Sequence, residues 1–148
     1  PLVAPPGFLV GHDDVLHIGS APRPGDPLHG VPVGQEVGLL AIDFATRRRV
    51  RLNGVLTGAD QAGLVVHIDQ AFGNCPKYIH RRTVDVPSLS AWPAGGARHT
   101  ALLDAAARAM ITAADTFFLG TTHPTRGSDA SHRGGPPGFV RIDSAVRL

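Results

Sequence analysis

The stretch that decides the fold is Val37-Gly-Leu-Leu-Ala-Ile-Asp-Phe-Ala-Thr-Arg-Arg-Arg-Val-Arg-Leu-Asn-Gly54. Its first half is apolar and partly β-branched, a polar turn follows at residues 43–46, and its second half alternates between polar and apolar side chains. Alternation with a period of two is typical of a strand with one polar face. The stretch therefore predicts two paired antiparallel strands.

The second of these strands carries an arginine face. Val50 and Leu52 share one side of the strand, and the other side holds Arg47, Arg49, Arg51 and Asn53. Neighbouring like charges repel one another, so the face needs carboxylate partners or an anionic ligand. Phosphate suits it because guanidinium is a planar fork of donors. The alternative is a solvated edge strand whose arginines prevent aggregation.

The flanking sequence predicts a mainly β chain with a few helices. A hairpin is expected over residues 7–18, with its turn at His12–Asp14, and further strands over 64–69, 116–121 and, as a turn-rich pair, 128–148. Asn74 before Cys-Pro predicts the start of a short helix, and a longer helix is expected over about 100–114. The 18 glycines and 13 prolines favour many turns and short strands. Strands in meander order suggest a small barrel.

Composition excludes several classes of protein. A net charge of +2 is too small to imply nucleic-acid binding by itself, although a local cluster could bind an anion. One cysteine excludes an internal disulfide framework and favours the cytoplasm, and the longest apolar run is too short to span a membrane. The eight histidines lack metal-ligand spacing, so no metal site is expected.

Two further segments could bind an anion. One is Asn74-Cys-Pro-Lys-Tyr-Ile-His-Arg-Arg82, which sets the only lysine, Lys77, beside a helix start. The other is Ser131-His-Arg-Gly-Gly135, where adjacent glycines allow close backbone approach and the side chains supply donors. The alternatives are a capped surface helix and a turn with incidental polar residues.

A short segment that occurs twice in the sequence suggests an internal duplication. Pro5-Pro-Gly-Phe-Leu9 recurs as Pro136-Pro-Gly-Phe-Val140, at an offset of 131 residues. Both copies run into a strand with an Asp-containing turn. Coincidence between two Pro-Gly turns is the alternative.

Three stretches taken together resemble a known family: residues 37–54, residues 70–79, and Ala114–Leu119 followed by Ser131–Phe139. They resemble the pyridoxamine 5'-phosphate oxidase-like family of FMN-binding split barrels, particularly the flavin-nucleotide-binding branch with two related halves. The resemblance implies a six-stranded antiparallel split β-barrel and a homodimer with FMN near the subunit interface. Residues 1–114 would be a first repeat lacking its first strand, with a connecting helix near 100–114, and 115–148 the start of a second, truncated repeat.

The resemblance also implies a set of cofactor-binding residues. Arg49 and Arg51 would lie on the strand that faces flavin, the segment with Ser131, Arg133 and Gly134 would hold the phosphate and ring edge, and Lys77 would add a phosphate contact. With the neighbouring donors Asn53 and His132, these are the predicted FMN-binding residues. In the oxidases themselves a basic and apolar run binds FMN, and here Ser-His-Arg-Gly-Gly stands in its place. No pocket for pyridoxal phosphate is evident either, so vitamin B6 oxidation is not expected.

The resulting prediction is an FMN-dependent oxidoreductase domain, with a nicotinamide nucleotide or a redox protein as electron donor. Hydride transfer through flavin requires no acid or base side chain, so no catalytic residue is predicted. The alternative is a non-catalytic flavin or nucleotide carrier or sensor. Nucleic-acid binding through the arginines, the third reading, would show a steep salt dependence.

Overall fold

A computed structural model describes residues 7–22, 24–26, 28–73, 75–83 and 100–148. These residues form a mainly β structure with antiparallel strands, one α-helix and one 3₁₀ turn, which confirms the predicted class. The strands are β1 (Leu9–His12), β2 (Val15–Ile18), β3 (Glu36–Asp43), β4 (Arg48–Ala59), β5 (Leu64–Gly73), β6 (Thr116–His123) and β7 (Gly127–Gly134). The helix, α1, covers Ala105–Ala113, and the 3₁₀ turn covers Pro76–Tyr78.

The strands form two sheets, and the predicted six-stranded barrel is wrong for the described part of the chain. One sheet has five strands in the order β1-β2-β5-β4-β3, and the other is the hairpin β6-β7. The hairpin packs against β3 and β4, but no hydrogen-bonded ladder joins it to either strand. Seven strands in two packed sheets therefore replace one closed cylinder.

The turn between β3 and β4 is built by Asp43. Its carboxylate accepts hydrogen bonds from the backbone N–H of Ala45 (2.9 Å) and Thr46 (3.3 Å) and from the Thr46 hydroxyl. These bonds, led by that of the hydroxyl, lower the pKa of Asp43. Arg47 closes the turn with φ +58°. It thus precedes β4, and its predicted place on the arginine face is wrong because the turn takes one more residue.

Close strand contact explains the glycine at position 54. The β4–β5 pairing shifts register between Asn53 and Gly54, and a Cβ on Gly54 would lie 1.9 Å from the carbonyl oxygen of His67. No other residue type fits so near a backbone oxygen. The shift leads into the best-buried part of the sheet, where Leu56 and Val66 are only 2% and 1% exposed.

The helices differ from the sequence prediction in length. Helix α1 begins only at Ala105 because the Asp104 side chain accepts a hydrogen bond from the Ala107 N–H (2.8 Å) and caps it. The helix expected after Asn74 is a single 3₁₀ turn, since Ile79 is already extended and buried. Asn74 itself lies outside the described residues. In the described ranges, no helix has the length and apolar character needed to cross a membrane.

The last segment forms one strand rather than a strand pair of its own. Strand β7 pairs with β6, and the chain then continues through turns to a single bridge between Ser144 and Arg147. The two copies of the repeated Pro-Pro-Gly-Phe segment share one backbone feature: Gly7 and Gly138 have φ values of +90° and +84°. The predicted duplication and its boundaries stay a prediction.

A glycine on β3 allows the hairpin to pack closely. A Cβ on Gly38 would lie 2.6 Å from the Asp129 Cα on β7, well inside van der Waals contact. Gly38, Leu40 and Ile42 pair with Asn53, Arg51 and Arg49, so they share the face that carries the arginines. The hairpin is thereby laid against the arginine face of β4.

Candidate functional site

The centre of the candidate site is a pair formed by Arg49 on β4 and His132 on β7. The Arg49 Nη1 donates to the His132 carbonyl oxygen at 3.0 Å and lies 3.0 Å from the His132 Nδ1. Arginine has no acceptor and stays protonated, so Nδ1 must accept this bond. The remaining imidazole proton is therefore on Nε2.

Burial and charge keep the His132 ring neutral. The residue is only 4% exposed, and its ring lies edge-on to Phe44 and Phe118, with centroid distances of 6.3 and 5.7 Å. Burial, followed by the nearby cation of Arg49, lowers the His132 pKa below its ordinary value of 6.5. At neutral pH, His132 is thus a hydrogen-bond donor through Nε2–H.

Two buried polar atoms of this pair have no partner among the described residues: Arg49 Nε and His132 Nε2. Unsatisfied buried donors are rare in folded proteins and commonly mark a missing ligand or a functional site. Burial and the positive charges of Arg51 and Arg133 also lower the pKa of Arg49. An anion beside the pair would offset this repulsion.

The pair opens into a pocket of about 950 Å³ between the β6–β7 hairpin and the segments that flank it. This size falls within the range of small-molecule and cofactor sites. Apolar and aromatic side chains provide most of the wall, and polar groups are few. The lining residues are Arg49, Tyr78, Ile111, Ala114, Phe117, Phe118, Leu119, His132, Arg133, Gly134, Phe139, Val140, Arg141, Asp143 and Leu148.

The charges around this pocket are only partly compensated. Arg141 forms an ion pair with Asp143 at 2.8 Å. Arg49 and the exposed Arg133 form no ion pair with any described carboxylate. The pocket therefore combines two guanidinium groups that lack a described carboxylate partner with an apolar wall, which suits a ligand that has an anionic group and a flat apolar ring.

The structure brings four of the eight predicted site residues together at the pocket: Arg49, His132, Arg133 and Gly134. The other four do not line it. Arg51 forms an ion pair with Asp129 at 3.2 Å, and the Asn53 amide lies 3.2 Å from the other oxygen of that carboxylate. These contacts join β7 to β4, and the predicted cofactor contacts of Arg51, whose buried Nε has no partner among the described residues, and of Asn53 stay predictions.

Ser131 and Lys77 also lie elsewhere. Ser131 is buried, and its hydroxyl donates to the Leu119 carbonyl oxygen on the neighbouring strand at 3.4 Å. Lys77 lines a separate concavity of about 410 Å³, beside the pocket. Tyr78 lines both.

The aromatic wall was missed by sequence reasoning. Phe117 and Phe139 stack with ring centroids 5.7 Å apart, and Phe117 and Phe118 are 37% and 58% exposed. Adjacent phenylalanines on a hairpin strand cannot both be buried in the same core, because neighbouring strand residues face opposite sides. The adjacent pair Phe117-Phe118 was therefore the sequence signal that could have predicted an exposed aromatic surface.

The segment of residues 75–83 closes one side of the site. Arg82 forms an ion pair with Asp115 and donates from its backbone N–H to the Phe44 carbonyl oxygen (3.3 Å), while a His80 ring nitrogen lies 3.1 Å from the Gly135 carbonyl oxygen. A Cβ on Gly134 would lie 1.9 Å from the Tyr78 carbonyl oxygen. Glycine at position 134 is therefore required for this closure.

No group of three or more possible metal ligands occurs within the ranges that the structure describes. Comparison of the chain with protein-family models, with curated proteins and with solved structures gives no significant match. The family resemblance and the function that it implies stay predictions, and the geometry of the pocket is the observation on which a function can be based.

Proposed function

We propose that the protein binds FMN in the 950 Å³ pocket and acts as an FMN-dependent oxidoreductase domain. The observation that carries this proposal is the pair Arg49–His132, with two unsatisfied buried donors, at one side of a pocket walled by phenylalanines. FMN combines a phosphate with a flat ring system, and so matches both halves of the pocket.

The residues present fit this cofactor. Arg49 and Arg133 would hold its negative charge through charge-assisted hydrogen bonds. The neutral His132 would donate from Nε2–H to an acceptor atom of the cofactor. Phe117, Phe118 and Phe139 would pack against the ring and exclude water from it. When bound, FMN supplies the capacity to accept or deliver a hydride.

The test is the absorption spectrum and FMN affinity of the purified protein and of the double variant Arg49→Ala/Arg133→Ala. Each lost charge-assisted bond costs about 1.5–3 kcal/mol, so the double variant should bind FMN about 100-fold more weakly or not at all. The control is Arg48→Ala/Arg126→Ala, which removes the same charge from exposed positions outside the pocket. Unchanged flavin occupancy in the first variant would refute the assignment.

Reduction of the bound flavin by an electron donor distinguishes an oxidoreductase from a non-catalytic flavin carrier. A yellow protein that NADH or NADPH reduces supports the oxidoreductase, and a yellow protein that neither nucleotide nor a redox protein reduces supports a flavin carrier or sensor. Both outcomes leave the binding assignment in place, because it depends on the spectrum and on the arginine variants alone.

A further inference from the structure

The concavity that contains Lys77 is a second site of concentrated positive charge. It measures about 410 Å³ and is lined by Arg47, Lys77, Tyr78, Ile79, His80 and Arg81. We call it the cationic concavity. It adjoins the 950 Å³ pocket in which we propose that FMN binds, called the flavin pocket below. Tyr78 lines both, and its ring lies 5.3 Å from the Lys77 Nζ.

The cations of this concavity have no carboxylate partner among the residues that the structure describes. Arg47, Lys77 and Arg81 form no ion pair or side-chain hydrogen bond with the described part of the chain. Other arginines are paired: Arg51 with Asp129, Arg82 with Asp115. The whole chain carries a net charge of only +2, so three cations without a described carboxylate partner in one concavity are a local excess of positive charge. Such a field favours an anionic ligand.

The cations come from two segments that the fold holds together. Arg47 ends the β3–β4 turn, and Lys77 and Arg81 belong to the segment of residues 75–83. The hydrogen bond from the Arg82 N–H to the Phe44 carbonyl oxygen joins the two segments, and the buried Ile79 anchors the second one. The backbone of both segments is therefore in place before a ligand binds, so no ordering of the chain adds to the cost of binding.

A large residue occupies a position that favours glycine. Arg47 has φ +58°, a conformation that is rare for residues other than Gly, Asn and Asp. The turn would form more easily with glycine at this point. What arginine adds over glycine at this point is a side chain whose cation lines the concavity.

We propose that the cationic concavity binds the phosphate group of a second ligand, distinct from the flavin, so that this ligand lies beside the flavin pocket across Tyr78. The chemistry recognised is a phosphate monoester or a pyrophosphate, carried by a nicotinamide nucleotide or by a phosphorylated substrate. This inference rests on the proposed function for the position of the flavin, but the phosphate site itself is defined by its own residues.

The test compares Lys77→Gln/Arg81→Gln with the charge-matched control Arg48→Gln/Arg126→Gln, whose residues lie outside the concavity. Binding of NADPH, NADH and inorganic pyrophosphate is measured by calorimetry at low salt, and FMN affinity in parallel. We expect the first variant to bind pyrophosphate and NADPH at least about tenfold more weakly and FMN within about twofold of the parent. The control should change neither.

Two more measurements identify the source of the phosphate. Competition between pyrophosphate and both nucleotides indicates the pyrophosphate bridge, and competition with NADPH alone indicates the 2'-phosphate monoester. Binding of pyrophosphate without competition by either nucleotide indicates a phosphorylated substrate. Arg47→Gly, which removes the third cation at a position suited to glycine, should weaken the same ligands without loss of stability.

Failure of this inference is distinct from failure of the proposed function. If Lys77→Gln/Arg81→Gln loses FMN as strongly as Arg49→Ala/Arg133→Ala, the concavity holds the flavin's own phosphate and the inference is wrong, while FMN binding stands. If the parent protein binds FMN but neither pyrophosphate nor a nicotinamide nucleotide, the inference is also wrong. If it binds pyrophosphate through Lys77 and Arg81 but no FMN, the phosphate site stands and the flavin assignment falls.

Discussion

At the scale of single residues, His132 shows how a neighbour decides the chemistry of a side chain. A histidine in a polar, glycine-rich stretch would ordinarily titrate near neutral pH, and its neutral ring could carry the proton on either nitrogen. Here Arg49 occupies Nδ1, and burial between two phenylalanines disfavours the charged ring. The same residue is thus a neutral donor with a defined tautomer.

This state predicts a pH dependence of stability. The His132 pKa is lower in the folded chain than its unfolded value near 6.5, so the unfolded chain takes up the proton first. The contribution to the free energy of unfolding is complete above about pH 6.5 and falls as the pH drops below it. His132→Asn keeps an acceptor for Arg49 and cannot titrate, so urea unfolding at pH 7.5 and 5.5 should show a smaller loss than in the parent.

The exposed His29 provides the control for this measurement. His29→Asn should leave the difference between the two pH values close to that of the parent protein. An equal loss of unfolding free energy in His132→Asn and the parent would contradict the buried, neutral state of His132.

At the scale of elements, the site depends on how the β6–β7 hairpin packs on the large sheet. No ladder joins the hairpin to β3 or β4, so side-chain contacts hold it there. They include the Arg51–Asp129 ion pair and the Arg49–His132 hydrogen bonds. Close approach at Gly38 makes both possible.

Gly38→Ala is therefore expected to destabilise the protein by about 1–3 kcal/mol, because the new methyl group overlaps the Asp129 backbone. It should also weaken FMN binding, since β7 carries His132. The matched control is Gly11→Ala in β1, where a Cβ meets nothing within 4 Å, and its effect should stay within about 1 kcal/mol. Chemical denaturation of both variants measures this, and equal stability of the two would contradict the packing described.

At the scale of the whole molecule, much apolar surface is left uncovered. Among the described residues three hydrophobic side chains are buried, Leu56, Val66 and Ile79, whereas twelve large hydrophobic side chains are exposed. Three of the exposed side chains, Phe117, Phe118 and Leu119, are consecutive on β6 and line the pocket, and contiguous exposed apolar surface marks a ligand or partner site. The flavin would cover part of it at Phe117 and Phe118, and the predicted homodimer stays a prediction.

A ligand that covers this surface should raise the melting temperature. FMN at 100 times its dissociation constant adds about 2.7 kcal/mol, which corresponds to an increase of about 5–10 °C for a chain of this size. Riboflavin has the same ring but no phosphate, so at equal concentration its increase should be clearly smaller. Thermal unfolding followed by circular dichroism tests this, and equal increases would show that Arg49 and Arg133 do not hold the phosphate.

The sequence by itself determined the local structure. Alternation in residues 47–53 predicts a strand with its arginines on one face, which holds for Arg49 and Arg51 but not for Arg47, and the Asp43 turn and the hairpin around Asp13 follow from turn chemistry. These features depend on neighbours in the chain, so a pattern of a few residues is enough to predict them. Lengths were less predictable: helix α1 starts later than expected because Asp104 caps it, and the 3₁₀ turn stops early because Ile79 is extended and buried.

Only the tertiary structure decided which of the predicted residues can bind a ligand. Arg49 and Arg51 have the same sequence signal, but the fold places His132, 83 positions along the chain, opposite the first and Asp129 opposite the second. One guanidinium is left without a carboxylate, and the other is neutralised. Whether a charge is free depends on what the fold brings within a few ångströms of it, and this cannot be read from a local pattern.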